Sequence, residues 1–243
     1  MNAIQITPPR SETAPHEPQA VATADPNVSN ALFELIHRHG RRVARLTFLL
    51  CREIGASEAW SSAIARAAVH HDIGKLCIPQ RHLLNEDPLN EAEKHAVRRH
   101  AGLGEALIRR IMSPSSSLTE LHANICRHHH ERFDGSGYPD GLAGTHIPLP
   151  ARIVAVTDVF DALTSPRPYR RTASQQQAME SIISGCNRRF DPELVEAFEA
   201  VVRRGIEDGS TGETVRVLEI TEDRWLYRIA AAANMSTDPC AQQ

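Results

Sequence analysis

From Ser29 to about residue 206, apolar residues recur at the three- and four-residue spacing of amphipathic helices, and the pattern breaks only once. A chain patterned this way buries its apolar stripes by packing helix on helix, so the expected fold is all-α, a helical bundle. Leu32, Leu35, Ile36, Val43, Leu46, Leu49 and Leu50 trace the first helix, which Gly55 closes as a C-cap. Ser57 opens a second helix running towards His71. Asn90 with Glu93, Ser117 with Glu120 and Ser174 with Gln177 have the spacing of capping boxes. Pro150 stands at the head of the run 151–164, and Asp191 before Pro192 supplies an N-cap followed by proline at the first helical position. About seven helices are expected. Aromatic residues make up only 5% of the chain, so the core between these helices must be aliphatic and alanine-rich.

The break covers residues 131–149, ERFDGSGYPDGLAGTHIPL, with glycines at 135, 137, 141 and 144. Irregular segments of this length inside a compact domain tend to be functional. The spacing is not that of a dinucleotide-binding loop, no G-K-[ST] follows, and no strand precedes it. It follows instead a helix that ends in three consecutive histidines.

Outside the helical part, residues 1–28 are rich in Pro, Ala, Thr and Glu, lack the apolar stretch of a signal peptide, and read as a disordered tail. Residues 207–243 alternate apolar positions (Val215, Val217, Leu218, Ile220, then Trp225, Tyr227, Ile229) about Glu222-Asp223, which predicts a small C-terminal β-hairpin and a tail. Between them, residues 29–206 form the single expected domain. Basic residues number 27 against 30 acidic, a net charge of −3, which argues against DNA as a partner. No apolar run reaches 18 residues, so no membrane span is expected. The five cysteines are dispersed without a C-x-x-C pair, as in a protein of the reducing cytoplasm whose cysteines are small apolar residues.

Thirteen histidines are the compositional excess. His39, His71 with Asp72, His100, His129 and His130 lie on separate helical stretches, and Asp158 is a carboxylate in the otherwise apolar run RIVAVTDVFDAL. Imidazole and carboxylate together suit cations of intermediate hardness, and a buried carboxylate calls for a partner. A single helical histidine is more often a packing or surface residue than a ligand, and spacing alone does not show that these segments converge.

H-D-I-G-K at 71–75, H-H-E-R-F-D-G-S-G-Y-P at 129–139 and D-V-F-D-A-L-T-S-P-R-P-Y-R at 158–170 closely resemble the HD-GYP family, a branch of the HD-superfamily metal-dependent phosphohydrolases. The resemblance continues, in order, through H-x-x-R-V-A at 39–44, H-x-x-x-G at 100–104, G-L-x-G-x-x-I-P at 141–148 and F-D-P-E-L-V at 190–195, and covers roughly residues 30–200. It implies an HD-domain helical bundle and a bacterial signalling enzyme. The implied activity is a cyclic di-GMP phosphodiesterase that yields linear pGpG, and in some members GMP, by attack of a hydroxide held between two metals.

Carried onto this sequence, the resemblance implies that one metal takes His39, His71, Asp72 and Asp158, and the other takes Asp72 as bridge with His100, His129 and His130. Two divalent cations are implied, Fe or Mn, with Zn as a further option. Lys75 is implied beside Asp72 as a catalytic residue and Arg167 and Arg170 as a phosphate clamp; Tyr138 either stacks on a base of the substrate or fixes the loop, and Asp161, one helical turn from Asp158, either contacts the guanine of the substrate or supports a metal ligand. Arg98-Arg99 and Arg109-Arg110 read as solvated helix faces. Some members take a third metal through a carboxylate four residues before the first histidine; Leu35 stands there, with Glu34 beside it, so two metals are expected. The family's basic N-K-P-G-K-L stretch is shortened here to the acidic Asn85-Glu86-Asp87-Pro88-Leu89. Two further readings stay open at this stage: hydrolysis of another cyclic dinucleotide, and a catalytically weak binding scaffold whose G-Y-P loop docks a GGDEF-domain protein.

Overall fold

The computed structural model describes residues 26–83, 88–113, 116–166 and 172–207. Both chain ends, including the expected hairpin, the tail and Cys240, lie outside the described residues, as do residues 85–87 of the acidic stretch.

The described residues form an all-α bundle: α1 (Pro26–Glu53), α2 (Glu58–Ala68), α3 (Gln80–Leu83), α4 (Glu91–Arg98), α5 (His100–Ile111), α6 (Ser117–His128), α7 (Leu149–Thr164), α8 (Gln175–Ser184) and α9 (Pro192–Glu207). Short 3-10 turns at Ile73–Cys77 and Gly144–His146 complete it. Among the described residues there is no strand, only the isolated bridges Asp134↔Ala143 and Cys186↔Phe190. No helix described is long and apolar enough to cross a membrane.

Local chemistry sets most helix ends. Gly55, at φ +80°, ends α1: its N–H and that of Ala56 close on the carbonyls of Arg52 and Cys51, satisfying the last turn. Asn90 and Ser174 form full capping boxes with Glu93 and Gln177, and the Asp191 carboxylate accepts from the Glu193 N–H at 3.0 Å. Two ends differ from expectation. α1 begins at Pro26, three residues ahead of Ser29, with proline in the first turn, where no N–H is needed. The cap of α6 is Ser116 rather than Ser117, accepting from the Leu118 N–H. In a run of serines each is a competent cap, and Glu120 is drawn away from the box by Arg109 of α5, 2.5 Å distant.

α1 crosses α2, α7 and α9, and α5 lies against α6 and the 3-10 turn that follows α2. The core between them is aliphatic, with Val43, Leu50, Ile64, Ile125, Ile153 and Phe198 wholly buried. Each such side chain contributes about 1.5–3 kcal/mol through burial. Four free cysteines are present among the described residues, Cys51 and Cys126 buried, Cys77 and Cys186 partly so.

Candidate metal centre

Glycines let the helices carrying the histidines approach closely. A Cβ on Gly40 of α1 would lie 2.1 Å from the Val69 carbonyl, so the chain leaving α2 passes directly over the turn that presents His39. Gly74, in H-D-I-G-K, and Gly104, in H-x-x-x-G, pack backbone on backbone: a Cβ on Gly74 would lie 2.0 Å from the His100 carbonyl and 2.5 Å from the Gly104 nitrogen. These two approaches bring α1 and α5 against the turn holding His71 and Asp72.

Five imidazoles converge there. Ring centroids are 5.1 Å apart for His39 and His71, 4.9 Å for His71 and His129, 5.4 Å for His100 and His129, and 4.9 Å for His100 and His130. Asp72, 3% exposed, stands between two groups of them. Its Oδ2 lies 3.5 Å from His71 Nε2 and 3.9 Å from His39 Nε2, while Oδ1 lies 3.4 Å from His100 Nε2 and 3.7 Å from His129 Nε2. Donor atoms of Asp72, His100, His129 and His130 fall within 4.8 Å of one another, as do those of His39, His71 and Asp72. Asp158 adds Oδ1 at 3.0 Å from His39 Nε2 and 3.7 Å from His71 Nε2.

The donors are oriented from behind. Nδ1 of His71 bonds to the Ala68 carbonyl, that of His100 to Val97 and that of His129 to Ile125 and Cys126. A carbonyl only accepts, so each Nδ1 carries a hydrogen and Nε2 is the ring atom left facing inward, the atom through which a neutral ring would bind a cation. His71 Nε2 and Asp72 Oδ1 are buried with no hydrogen-bond partner. Orphaned lone pairs on a buried imidazole and a buried carboxylate fit a divalent cation and little else.

Electrostatics agree. Burial works to raise the Asp72 pKa, yet Lys75, then His71, His129 and His100, hold it well below the carboxylate range. Asp158 is held low against burial by His39 and His71. Burial pushes His100 down to about 4 and His130 well below its ordinary value. Burial also works to lower His39, but its bonds to Asp158 and Asp161 overcome this and raise it to about 9. The metal-free protein therefore holds a proton on His39 at pH 7, and a cation must expel it. Below pH 9 the affinity of the His39 group should rise about tenfold per pH unit and level off above it; His100, held down to about 4, releases none at pH 7, and burial keeps His130 neutral there as well. Calorimetric Mn²⁺ titration at pH 7 in buffers of different ionisation heat should count close to one proton from this source.

Of the roles open to Asp161 from sequence, the geometry is that of support for a candidate ligand. It is 4% exposed, its Oδ2 bonds His39 Nδ1 at 2.7 Å, and Arg42 grips both oxygens at 2.7 and 2.9 Å. It orients His39, and Arg42, to which sequence reading gave no role, orients Asp161. Asp161→Asn should weaken Mn²⁺ binding at the His39 group about 10–100-fold while sparing the other group, measured as the loss of one of two binding steps.

Lys75 donates to Asp72 Oδ2 at 2.5 Å. Tyr138 stacks on His130 at 4.8 Å, and both line a cavity of about 370 Å³ beside His129. Arg167 and Arg170 lie outside the described residues. Leu35 is 56% exposed and Glu34 is exposed; neither belongs to a candidate cation cluster among the described residues. His70, stacked on His122, and His128, bonded to Asp140 at 3.0 Å, face away from both groups, so the register of the H-H pairs is that of His71 and His129. Sequence reading also missed Glu131, whose Oε1 accepts from the N–H groups of Asp140 and Gly141 and folds the glycine-rich segment back. Arg98 is not simply a solvated face: it borders the cavity, as does Arg189, which had no motif to mark it.

Residues 28–194 match the family profile described as HD domain. The chain belongs to the HD-domain family, in its HD-GYP branch. Among curated relatives of this HD-GYP domain, a cyclic di-GMP phosphodiesterase of Thermotoga maritima is 42% identical over 162 residues, 67% of this chain and 43% of the relative. The cyclic di-GMP phosphodiesterase response regulator RpfG of Xanthomonas campestris is 42% identical over 156 residues, 64% of this chain and 40% of the relative. The 3'3'-cGAMP-specific phosphodiesterase 1 of Vibrio cholerae is 37% identical over 163 residues, 67% of this chain and 37% of the relative. The chain thus spans about two fifths of the length of these relatives. Among solved structures, the V-cGAP3 phosphodiesterase of V. cholerae superposes with a TM-score of 0.57 at 17% identity, covering 87% of this chain and 56% of that one. Bd1817, an HD-GYP-type protein of Bdellovibrio bacteriovorus, superposes at 0.53 with 17% identity, covering 69% and 52%. These two likenesses concern the fold.

Proposed function

We propose that this HD-GYP domain is a metal-dependent phosphodiesterase that hydrolyses cyclic di-GMP to linear pGpG. The observation that carries the reading is the placement of Asp72, whose two oxygens face two separate groups of imidazoles. One cation would be held by His39, His71, Asp72 and Asp158, the other by Asp72, His100, His129 and His130; the histidine-rich donor set favours Fe or Mn over Ca. Cations seated there would make water nucleophilic near neutral pH and draw charge from the phosphate oxygens. Only two carboxylates enter the set, which leaves net positive charge for an anionic phosphodiester.

The chain's own residues supply the rest. Asp72 sets the spacing of the two groups, and the backbone carbonyls behind His71, His100 and His129 keep their Nε2 atoms facing inward. Lys75, 29% exposed and anchored on Asp72, holds an ammonium beside the shared carboxylate, from which it can donate to a phosphate or leaving-group oxygen. Tyr138, stacked on His130, forms an apolar wall against which a base or ribose can rest.

A second substrate reading, 3'3'-cGAMP, draws support from the relatives of that stated specificity at 33–37% identity. The test is turnover of each cyclic dinucleotide by protein loaded with Mn²⁺ or, anaerobically, with Fe²⁺, with His71→Ala as control. Formation of pGpG from cyclic di-GMP at higher kcat/KM than product from 3'3'-cGAMP is expected. The reverse order would move the assignment to 3'3'-cGAMP, and no product from either by fully metallated protein would sink the enzymatic reading.

A further inference from the structure

The cavity beside His129 and His130 is rimmed by three arginines from three separate parts of the chain: Arg98 at the end of α4, Arg132 in the glycine-rich segment and Arg189 just before α9. The Arg98 guanidinium lies 5.4 Å from the centre of the Tyr138 ring, which itself stacks on His130. Arg189 lies over the Phe190 ring at 5.2 Å. Among the described residues neither Arg98 nor Arg189 has a carboxylate within 4.0 Å, whereas Arg42, Arg109, Arg127 and Arg152 each do. Arg132 sits 3.6 Å from Asp134, and its Nε is buried without a hydrogen-bond acceptor. A second cavity, about 210 Å³, shares Arg132 and Arg189 with the first and adds Arg188, Ser181 and Ser184.

Arg98 and Arg189 bring two exposed guanidinium groups without carboxylate partners to one rim, beside Arg132, whose Nε keeps no hydrogen-bond acceptor, and like charges so gathered favour an anion between them. The planar fork of arginine matches phosphate oxygens, and its weak hydration suits a part-buried site. We propose that Arg98, Arg132 and Arg189 form a phosphodiester seat, and that it holds the phosphate of the cyclic dinucleotide that is not being cleaved. This rests on the substrate reading above. A cyclic dinucleotide carries two phosphodiesters on one ring. With one at the histidine groups, the other falls in the adjoining space that these arginines rim. Among the described residues, Arg98, Arg132 and Arg189 are the cations that line this cavity with Tyr138.

The test separates this inference from the activity. Binding of cyclic di-GMP and of 3'3'-cGAMP to the metal-free protein is measured calorimetrically for wild type, Arg98→Ala and Arg189→Ala, with Arg109→Ala, an arginine tied to Glu105 and Glu120, as the charge control. Each rim variant should bind the dinucleotides about tenfold more weakly, and the control unchanged. Hydrolysis of bis(p-nitrophenyl) phosphate, which has a single phosphate, by Mn²⁺-loaded Arg109→Ala should match wild type, and each rim variant should lose about tenfold more kcat/KM on cyclic di-GMP than on this substrate. Wild-type affinity in both rim variants, or an equal loss on the single-phosphate substrate, would overturn the seat and leave the enzymatic reading intact. Tight binding by wild type without cleavage, combined with weak binding by the rim variants, would keep the seat and remove the activity. No binding of either dinucleotide by wild type would remove the seat.

Discussion

Asp72→Asn should empty both halves of the metal centre at once. The carboxylate is the one donor shared by the two groups, with Oδ2 towards His39 and His71 and Oδ1 towards His100 and His129. An amide offers a single weak oxygen donor and no charge, so neither group keeps an anionic bridge. Metal content by elemental analysis should fall from two equivalents to below one, and phosphodiester turnover should fall by about 10³-fold or more. His130→Ala, which touches only one group, should cost one equivalent.

Stability moves with activity. Lys75 and the surrounding imidazoles hold Asp72 ionised against the cost of burial, so its charge contributes to folding at neutral pH, and the metal-free variant should melt below metal-free wild type, the gap closing as acid protonates the wild-type carboxylate. Wild type should gain about 2.7 kcal/mol when the free cation stands at a hundred times its dissociation constant, and the variant should gain none of it. Two retained equivalents in Asp72→Asn would show that the bridge lies elsewhere.

Gly74→Ala should be the most damaging single-methyl addition in the domain, and for the opposite reason: it adds atoms where none fit. The new Cβ would meet the His100 carbonyl at 2.0 Å and the Gly104 nitrogen at 2.5 Å. Both are backbone, so no side chain can swing aside; α5 must retreat from the 3-10 turn and carry His100 away from Asp72. A loss of about 3 kcal/mol is expected, which for a domain of this size is about 6–12 °C in Tm. Cation binding by the His100 group should weaken with it. Gly102→Ala, two residues from His100 on the same helix, is the internal comparison. Its nearest neighbour is the tip of Arg127 at 3.9 Å, and alanine gains up to about 1 kcal/mol over glycine inside a helix. Thermal melts of the two variants should shift in opposite directions; a neutral Gly74→Ala would refute the close approach.

The features legible beforehand were those written over a few neighbouring residues. Asn90 and Ser174 announce their helices because a cap and its partner lie three residues apart, and Gly55 announces a C-cap because only the backbone of its own turn is involved. The ends that differed, Ser116 for Ser117 and Pro26 for Ser29, are cases where several local choices cost nearly the same. At Ser116 a tertiary contact, Arg109 to Glu120, took the decision. Among site residues, the histidines and Asp72 could be given roles from ordered motifs, whereas Arg42 and Glu131, though inside those motifs, and Arg189, outside them, could not. Each of these is ordinary in its own helix or turn, and its role exists only through a partner brought near by folding.

By itself the sequence determined the helical period, most of the helix ends, and the order in which imidazole and carboxylate donors occur along the chain. Tertiary structure alone decided which oxygen of Asp72 faces which group, that Asp161 bonds His39, and that three arginines share one rim. His39 and Asp161 are separated by 122 positions in the chain and by 2.7 Å in space. The rotation and depth of each helix, which set such distances, follow from how Gly40, Gly74 and Gly104 admit a neighbouring backbone and how the aliphatic faces interlock. Those are properties of pairs of surfaces rather than of any one stretch of residues.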